Sequence, residues 1–542
     1  MYKNSIRTRP LKRFISNHAK GKFALDPAYK LKCGLEIHTQ LNTRYKLFSY
    51  TSNEAENLTI SPNTSTSHYD ISLPGTQPRL NYEAVLYATK LALSLDSDIN
   101  LISQFDRKHY FYGDQPQGYQ VTQHYKPFAK NGKLTLYGAY EDINENEKTI
   151  RIEQLQIEQD TGKSLYASGA DMTTMIDLNR SNVPLIELVT KPDFEDLKQV
   201  RAFIKKYQDL VRRLNICTGN LETGSMRIDV NLSVNDFARV ELKNLPNTSS
   251  IMNAIKFEYE RQLHIIKNGE GERLLRDTET RGWTGSETVK LRSKETSIDY
   301  RYMPDPEIPF ITIADDVVHK VKSTLPVSAD ALLREFMNKP YNLPIKHAKI
   351  LCISGNQNEM YDHEQLRKYY KDVCVHYQKE YPDDNLKIPS NWILNEFIGN
   401  LNKLETKLNE IYEILTPSIF FELIRLMKQG VITGNSSKLL LFHIVNNVKT
   451  GVFTKSSQIN LKQLINEYEL QAADQINEHE LEEICRSIID DIKDEKLLQN
   501  LISGKKKTSL KFLVGQGMRL SQGRLNPNEL EKMFRQVLDI KW

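Results

Sequence analysis

The chain has 542 residues, of which 39% are hydrophobic, and a formal net charge of +4. That length supports two to four domains with real cores, and no apolar run approaches the ~18 residues needed to span a bilayer, so no membrane partner is expected. Five cysteines (Cys33, Cys217, Cys352, Cys374, Cys485) stand without a CxxC pair, which argues against a disulfide scaffold or zinc finger and fits a reducing compartment.

At the N-terminus, Lys3, Arg7, Arg9, Lys12, Arg13, Lys20 and Lys22 precede the first acid, Asp26. A basic, acid-free stretch without an apolar h-region reads as an organellar transit segment, so residues 1–26 are set outside the fold and mitochondrial import is expected. The bland alternative is a solvated basic tail. Residues 34–40, GLEIHTQ, then alternate apolar and polar positions as a half-buried strand does. Leu35 and Ile37 face the core, while Glu36, His38 and Gln40 share the opposite face. Residues 81–95 predict a helix.

Residues 105–114, FDRKHYFYGD, mix cations with aromatics, which suits a nucleotide: cations take phosphate and rings take a base. An amphipathic strand and turn with exposed tyrosines explains the same composition. A second alternating run, residues 155–160 (LQIEQD), leads into Gln159-Asp160-Thr161-Gly162-Lys163, a turn that lacks Walker A spacing. Glu187 follows an apolar run, where a lone acid is more often an ion-pair partner than a ligand. Residues 194–216 predict an amphipathic helix. Residues 227–234 and 239–244 read as strands, and 249–266 as a helix with Ser249 or Ser250 as N-cap. Three prolines between Met303 and Pro309 predict a rigid extended loop, either a substrate rim or a domain exit.

After residue 326 strand signals thin out. Residues 329–337 (N-cap Ser328), 389–414 and 418–429 predict helices, 450–458 a linker, and 461–542 a small helical unit. The expected fold is α+β: a largely antiparallel sheet in residues 27–325, a helical domain over 326–460 and a helical tail over 461–542.

The strands gather Glu36, His38, Glu158 and Asp229 on one open sheet face, an inventory for a divalent metal and a phosphate-bearing substrate. Magnesium prefers oxygen donors, whereas a histidine suits manganese or zinc, so the metal is open at this level. No GxSxG elbow, SxxK or Cys–His motif is present, and the inventory favours metal-assisted phosphoryl or acyl chemistry.

These stretches form a recognisable series. GLEIHTQL, FDRKHYFYGDQPQGYQ, IEQDTGK, DLNRSNVPLIELVTKPD, MRIDVNLSV, VELKN, KETSIDYRYMPDPEIP and the late FLVGQGM resemble, in order, the motifs of the B subunits of glutamyl-tRNA(Gln) amidotransferases, and the N-terminus resembles that of a mitochondrial member. The resemblance implies a cradle similar to glutamine synthetase, followed by helical and tail domains that help hold tRNA. It implies ATP- and Mg2+-dependent phosphorylation of the γ-carboxylate of Glu-tRNA(Gln), then amidation with ammonia from an amidase-type A subunit, in an assembly with a small third subunit. Carried over, the metal ligands fall on Glu36, His38, Glu158 and Glu187. Glu158, Lys108, Arg107 and Arg301 are the expected catalytic groups. Lys163, Arg227, Asp229 and Lys243 are the expected cofactor contacts. In the tail, Lys505, Lys506, Lys507, Lys511, Arg519 and Arg524 are the expected tRNA contacts, with a solvated charge run as the alternative.

The sequence also departs from the family. Gly113 stands where many relatives have Pro, and His109 where they have Asn. Gln159 replaces the second acid of the usual Glu-Glu-Asp run. Some relatives carry zinc-binding cysteines after the Lys46-Leu47-Phe48 segment; here Ser49-Tyr50-Thr51-Ser52 follows, so no zinc is expected. Two other functions compete: a non-catalytic tRNA-binding adaptor, which has no need of the carboxylate set, and a metal-dependent nuclease, which would degrade tRNA without ATP.

Overall fold

The structure, a computed structural model, describes residues 23–54, 57, 59–166, 173–293, 300–353, 359–471, 478–490, 501, 509–520, 525 and 527–540. Residues 1–22 therefore lie outside the described residues, whereas Phe23 and Leu25 pack against the core of the first unit and Asp26 pairs with Lys267 at 2.9 Å. The chain divides into two compact units, residues 1–328 and 329–542.

The first unit is built on a nine-stranded sheet. Its order is Thr288–Ser293, Glu279–Trp283, Val240–Lys243, Met226–Val234, Leu31–Gln40, Pro184–Thr190, Glu147–Gln159, Ala129–Tyr137 and Asp98–Ile99. Leu31–Gln40 is the middle strand. Neighbours run antiparallel except Val240–Lys243 beside Glu279–Trp283, which are parallel. The fold is thus α+β with an antiparallel-dominated sheet, as the period-two runs require.

The two faces of this sheet differ in chemistry. Leu35, Ile37, Leu155, Ile157, Ile186, Leu188, Ile228 and Val230 are buried in one core with Val200, Phe203, Ile204, Tyr207, Ile251, Ile255 and Tyr259 from two helices, Leu197–Arg213 and Thr248–Lys267. Thr39 and Tyr207 join hydroxyls across that interface at 2.9 Å. The helices cover the apolar face, which leaves the polar face to build a site.

The helix termini follow side-chain capping. Asn81 accepts from Glu83 N–H at the start of Tyr82–Ser94, and Asp196 accepts from Lys198 N–H at the start of Leu197–Arg213. Phe194 is not helical; it bridges Cys33 through a 3.0 Å backbone bond. Neither Ser249 nor Ser250 caps the third helix. Asn247 does, its side chain accepting from Ser250 N–H at 2.9 Å, so the helix begins at Thr248.

A small sheet of Asp106–His109, Tyr119–Thr122 and Met303–Pro304 is tied to the Glu147–Gln159 strand. Gln120 Nε2 donates to Gln159 O at 2.8 Å, and Ile157 N–H donates to Gln123 Oε1 at 2.9 Å. The proline-rich segment thus enters a sheet edge: Met303 pairs with Arg107 and Pro304 with Asp106.

The second unit is helical. Ala329–Met337, Ile345–Cys352, His363–Glu380, Pro417–Lys428 and Gly434–Lys449 are its longer early helices. Residues 389–414 are not one helix. Lys387–Asn391 runs into a π-helical turn, Trp392–Phe397, then Ile398–Lys403. Glu405 takes φ 49°, and Thr406 N–H bonds back to Leu401 O at 3.0 Å, a left-handed closure that ends a helix before Leu408–Ile411. Within the predicted linker, Thr450 caps Gly434–Lys449 and Ser456–Gln458 makes a 3-10 turn. In the tail, helices Glu478–Asp490, Ser509–Leu520 and Pro527–Val537 share a core of Leu481, Cys485, Ile488, Leu513, Leu530 and Phe534. Among the described residues, no helix is long and apolar enough to cross a membrane.

Candidate active site

Register assembles the site. His38 lies opposite Glu187 on one neighbouring strand and Arg227 on the other, while Glu36 lies opposite Asp229. One strand further, Glu187 pairs with Gln156, and Leu185 with Glu158. Directly opposed residues share a face, so these polar side chains all rise from the side away from the helices. Ligand atoms of Glu36, His38 and Glu187 lie within 4.8 Å of one another. Glu158 Oε2 is 3.6 Å from His38 Nε2.

The small sheet delivers a cation. Lys108 lies over the Tyr300 ring at 4.8 Å. Burial works to lower its pKa, but Glu158, Tyr302 and Glu187 outweigh that and hold it above the ordinary value. Burial likewise opposes ionisation of Glu158, yet His38, Lys108 and the Thr122 hydroxyl pull it down to about 2. Glu187 goes the other way: burial, then the charges of Glu158 and Glu36, raise it well above the carboxylate range. The two acids are thus pushed apart, Glu158 toward its ionised form and Glu187 toward its neutral one. Three carboxylates crowded around an imidazole, one of them driven toward its neutral form, have the donor set and the charge demand of a divalent-cation site.

The other expected residues divide. Asp229 shares the face but is bound to Lys243, which also contacts Glu241 at 3.0 Å. Arg107 is held by Asp305 at 2.7 Å and Glu307 at 2.9 Å and stacks over Tyr119 at 4.2 Å, which makes it a clamp on the proline-rich segment. Arg301 is exposed, at φ 42°, and its carbonyl is 2.9 Å from His109 Nδ1. Lys163 is exposed on the Lys163–Tyr166 strand, opposite Asp177. Arg227 donates to buried Asp160 at 2.7 Å, and Asp160 also accepts from Gln40 Nε2 at 2.9 Å and faces Arg180 at 3.5 Å. Lys511 and Arg519 are exposed on Ser509–Leu520; Lys505, Lys506, Lys507 and Arg524 lie outside the described residues.

Several residues at the site carried no sequence signal. Thr122 meets Glu158 through its hydroxyl. Arg180 anchors the Thr161–Gly162 turn, donating to Thr161 O at 3.0 Å and Gly162 O at 2.7 Å. His124 stacks on Tyr302 at 3.9 Å beside the acidic pair. Only the pairing of distant strands brings these together.

Comparison with known proteins defines the class. Residues 31–319 match the GatB/GatE catalytic domain, and residues 375–538 match the GatB domain. The sheet and its acidic face therefore lie in the part that matches a catalytic domain. Over 518 residues the chain is 58% identical to the mitochondrial GatB-type protein of the glutamyl-tRNA(Gln) amidotransferase from Saccharomyces cerevisiae (strain RM11-1a), covering 95% of this chain and 96% of that protein. The corresponding proteins from Zygosaccharomyces rouxii and Eremothecium gossypii are each 57% identical, over 528 and 517 residues, covering 96% and 95% of this chain and 97% and 96% of theirs. The chain belongs to this family, the B subunits of glutamyl-tRNA(Gln) amidotransferase, and is an enzyme component of its mitochondrial branch.

Proposed function

We propose that this chain activates the γ-carboxylate of glutamate esterified to tRNA(Gln), using ATP and Mg2+, within a complex containing an amidase-type A subunit and a small third subunit in the mitochondrial matrix. The observation that carries this is the convergence of Glu36, His38, Glu187 and Glu158 on one sheet face with Lys108 beside them. Glu36, His38, Glu158 and Glu187 would hold Mg2+, which when bound neutralises phosphate charge.

A γ-carboxylate oxygen attacks the γ-phosphorus of ATP; the bond to the β–γ bridging oxygen breaks and ADP leaves, giving a glutamyl phosphate. Ammonia then attacks the acyl carbon, inorganic phosphate departs, and a proton is lost to leave the amide. Lys108 stabilises negative charge on the transferred group, as its retained protonation allows. Arg301 and Lys163, both exposed, would meet incoming phosphates. Tyr110, Tyr300, Tyr302 and His124 form a run of ring contacts beside Lys108 that would narrow access of water to the acyl phosphate. Residues 326–460 and 461–542 are proposed as separate helical and tRNA-binding domains.

The test is ATP-dependent conversion of Glu-tRNA(Gln) to Gln-tRNA(Gln) by the co-purified complex. Glu158→Gln and Glu187→Gln should abolish conversion while assembly and tRNA binding persist, a loss on the order of several kcal/mol in barrier height. Near wild-type conversion by either variant at saturating Mg2+ overturns the assignment.

A further inference from the structure

Resting on the metal site proposed above, we propose that Thr122 is a positioning residue that fixes Glu158 in the orientation presenting one carboxylate oxygen to His38. Thr122 sits on the Tyr119–Thr122 strand of the small sheet, and its side chain meets the large sheet's polar face at 1% exposure. Its hydroxyl contacts Glu158 Oε1, and Gln156 Oε1 at 2.9 Å. The other Glu158 oxygen, Oε2, is the one 3.6 Å from His38 Nε2. The two oxygens therefore have separate duties: one held by the hydroxyl, one aimed into the ligand cluster.

A hydroxyl carries one proton, and an ionised carboxylate only accepts. Thr122 thus donates to Glu158. Gln156 Oε1 is the second acceptor within reach of the same hydroxyl. The Thr122 hydroxyl thus sits between Gln156 and Glu158, and Gln156 is itself the cross-strand partner of Glu187. The β-branched side chain is stiff about χ1. Its strand is pinned by Gln123, whose amide accepts from Ile157 N–H at 2.9 Å and donates to Ser103 Oγ at 3.2 Å. Without the hydroxyl, Glu158 Oε1 loses its donor inside a buried site, and the carboxylate is free to turn both oxygens toward Lys108 and His38.

The experiment compares Thr122→Val, which keeps the shape and removes the hydroxyl, with Thr122→Ser, which keeps the hydroxyl. Thr122→Ala is a second hydroxyl-free variant, so a folding failure of one leaves the comparison intact. Mn2+ is titrated into the purified complex without ATP or tRNA, the free ion being read by electron paramagnetic resonance. The Mg2+ concentration for half-maximal conversion is measured in parallel. Groups that orient metal ligands typically change affinity 10- to 100-fold, so Thr122→Val should weaken Mn2+ binding about tenfold or more and raise the Mg2+ requirement alike. KM for Glu-tRNA(Gln) should not move, and Thr122→Ser should stay within about twofold of wild type. Wild-type Mn2+ affinity in the hydroxyl-free variants, or equal impairment in Thr122→Ser, overturns the proposal. Glu158→Gln separates the two levels. If it too binds Mn2+ normally, the metal site itself is wrong; if it alone loses Mn2+, only the role of Thr122 falls.

Discussion

Buried Glu158 and half-buried Glu187 stand on adjacent strands, yet their environments push their pKa values in opposite directions. The difference lies in their partners: Glu158 has His38, Lys108 and a hydroxyl, whereas Glu187 faces Glu158 and Glu36. It predicts an asymmetry between the two amide variants. Glu187→Gln replaces a carboxyl whose ionisation is opposed by burial and by the charges of Glu158 and Glu36, so without metal its thermal midpoint at pH 7 should equal or exceed that of wild type. Glu158→Gln discards an acid that His38, Lys108 and the Thr122 hydroxyl hold below its ordinary value, and it should melt lower. Melting curves in chelator check this; a lower midpoint for Glu187→Gln contradicts it. Asp160, two residues beyond Glu158, offers a pH test on an acid that is not itself a proposed ligand. Burial works to raise its pKa, but Arg227, Arg180 and Gln40 outweigh that and depress it below the ordinary value. A carboxyl with a depressed folded pKa contributes stability that is fully present above the unfolded value of about 3.9 and is lost as pH falls through the folded value. Asp160→Asn should cost on the order of 2 kcal/mol at pH 7, since it strips a buried acceptor from two guanidiniums. The gap from wild type should begin to narrow below about pH 4. Urea unfolding at pH 7 and pH 3.5 measures both; a gap that persists undiminished at pH 3.5 rules out the ionic origin.

Between the middle strand and the Tyr82–Ser94 helix, the chain has a polar centre of its own. Lys46 Nζ, wholly buried, donates to Ser65 O at 2.7 Å and pairs with Asp70 at 3.3 Å. Asp70 also accepts from Ser49 Oγ at 3.0 Å, Asn182 Nδ2 at 2.9 Å and Ser67 N–H at 2.8 Å. Removing one partner of such a pair leaves an uncompensated buried charge, so Lys46→Met should cost about 3–5 kcal/mol. Adding Asp70→Asn should restore part of it, giving a coupling of about 1 kcal/mol or more in a double-mutant cycle. Strict additivity in chemical denaturation would show that the two charges do not interact. This centre also marks where the sequence stops being legible. Alternation along GLEIHTQ assigned Glu36 and His38 to the polar face, because facing depends only on parity within one strand. Parity does not say which strands are neighbours. Asp229 has the right parity but is taken up by Lys243, two strands from Glu187. Pairing of Asp160 with Arg227 needs strand ends 67 residues apart to meet. Lys46, read beside Leu47 and Phe48, gives no hint that its ammonium is buried. The helix predicted over 389–414 is interrupted after Lys403 for a related reason: its apolar spacing is continuous, but the closure at Glu405 is a backbone event.

At the scale of the whole molecule, the chain should hydrolyse no free glutamine by itself. All five cysteines are buried, and burial pushes the thiols of Cys33 and Cys374 up to about 12 and that of Cys485 to about 11, far from a nucleophilic thiolate. Glutamate release from glutamine by the isolated pure chain would refute the division of labour proposed for the complex. The tail makes the complementary prediction about tRNA. In Ser509–Leu520, Leu513 and Gly517 turn inward, with Gly517 so close to Leu530 that a Cβ there would stand 3.0 Å from it. Lys511, Gly515 and Arg519, spaced by four, fall on the outward face and are exposed. A small residue between two cations on one helix face lets a phosphate backbone approach both. Such contacts fix position without reading sequence, and each neutralised phosphate adds to the salt dependence of binding. The double variant Lys511→Ala, Arg519→Ala removes no core contact, so the complex should assemble normally. Its affinity for tRNA should fall at low salt, and the slope of log affinity against log salt should flatten by up to about two units. The apparent KM for Glu-tRNA(Gln) should rise, while conversion at saturating tRNA stays near wild type, because the proposed activating site is built from residues of the other unit. Filter-binding isotherms across a salt series decide it: an unchanged slope and affinity would mean that this face meets solvent or another protein of the complex and leaves the tRNA untouched.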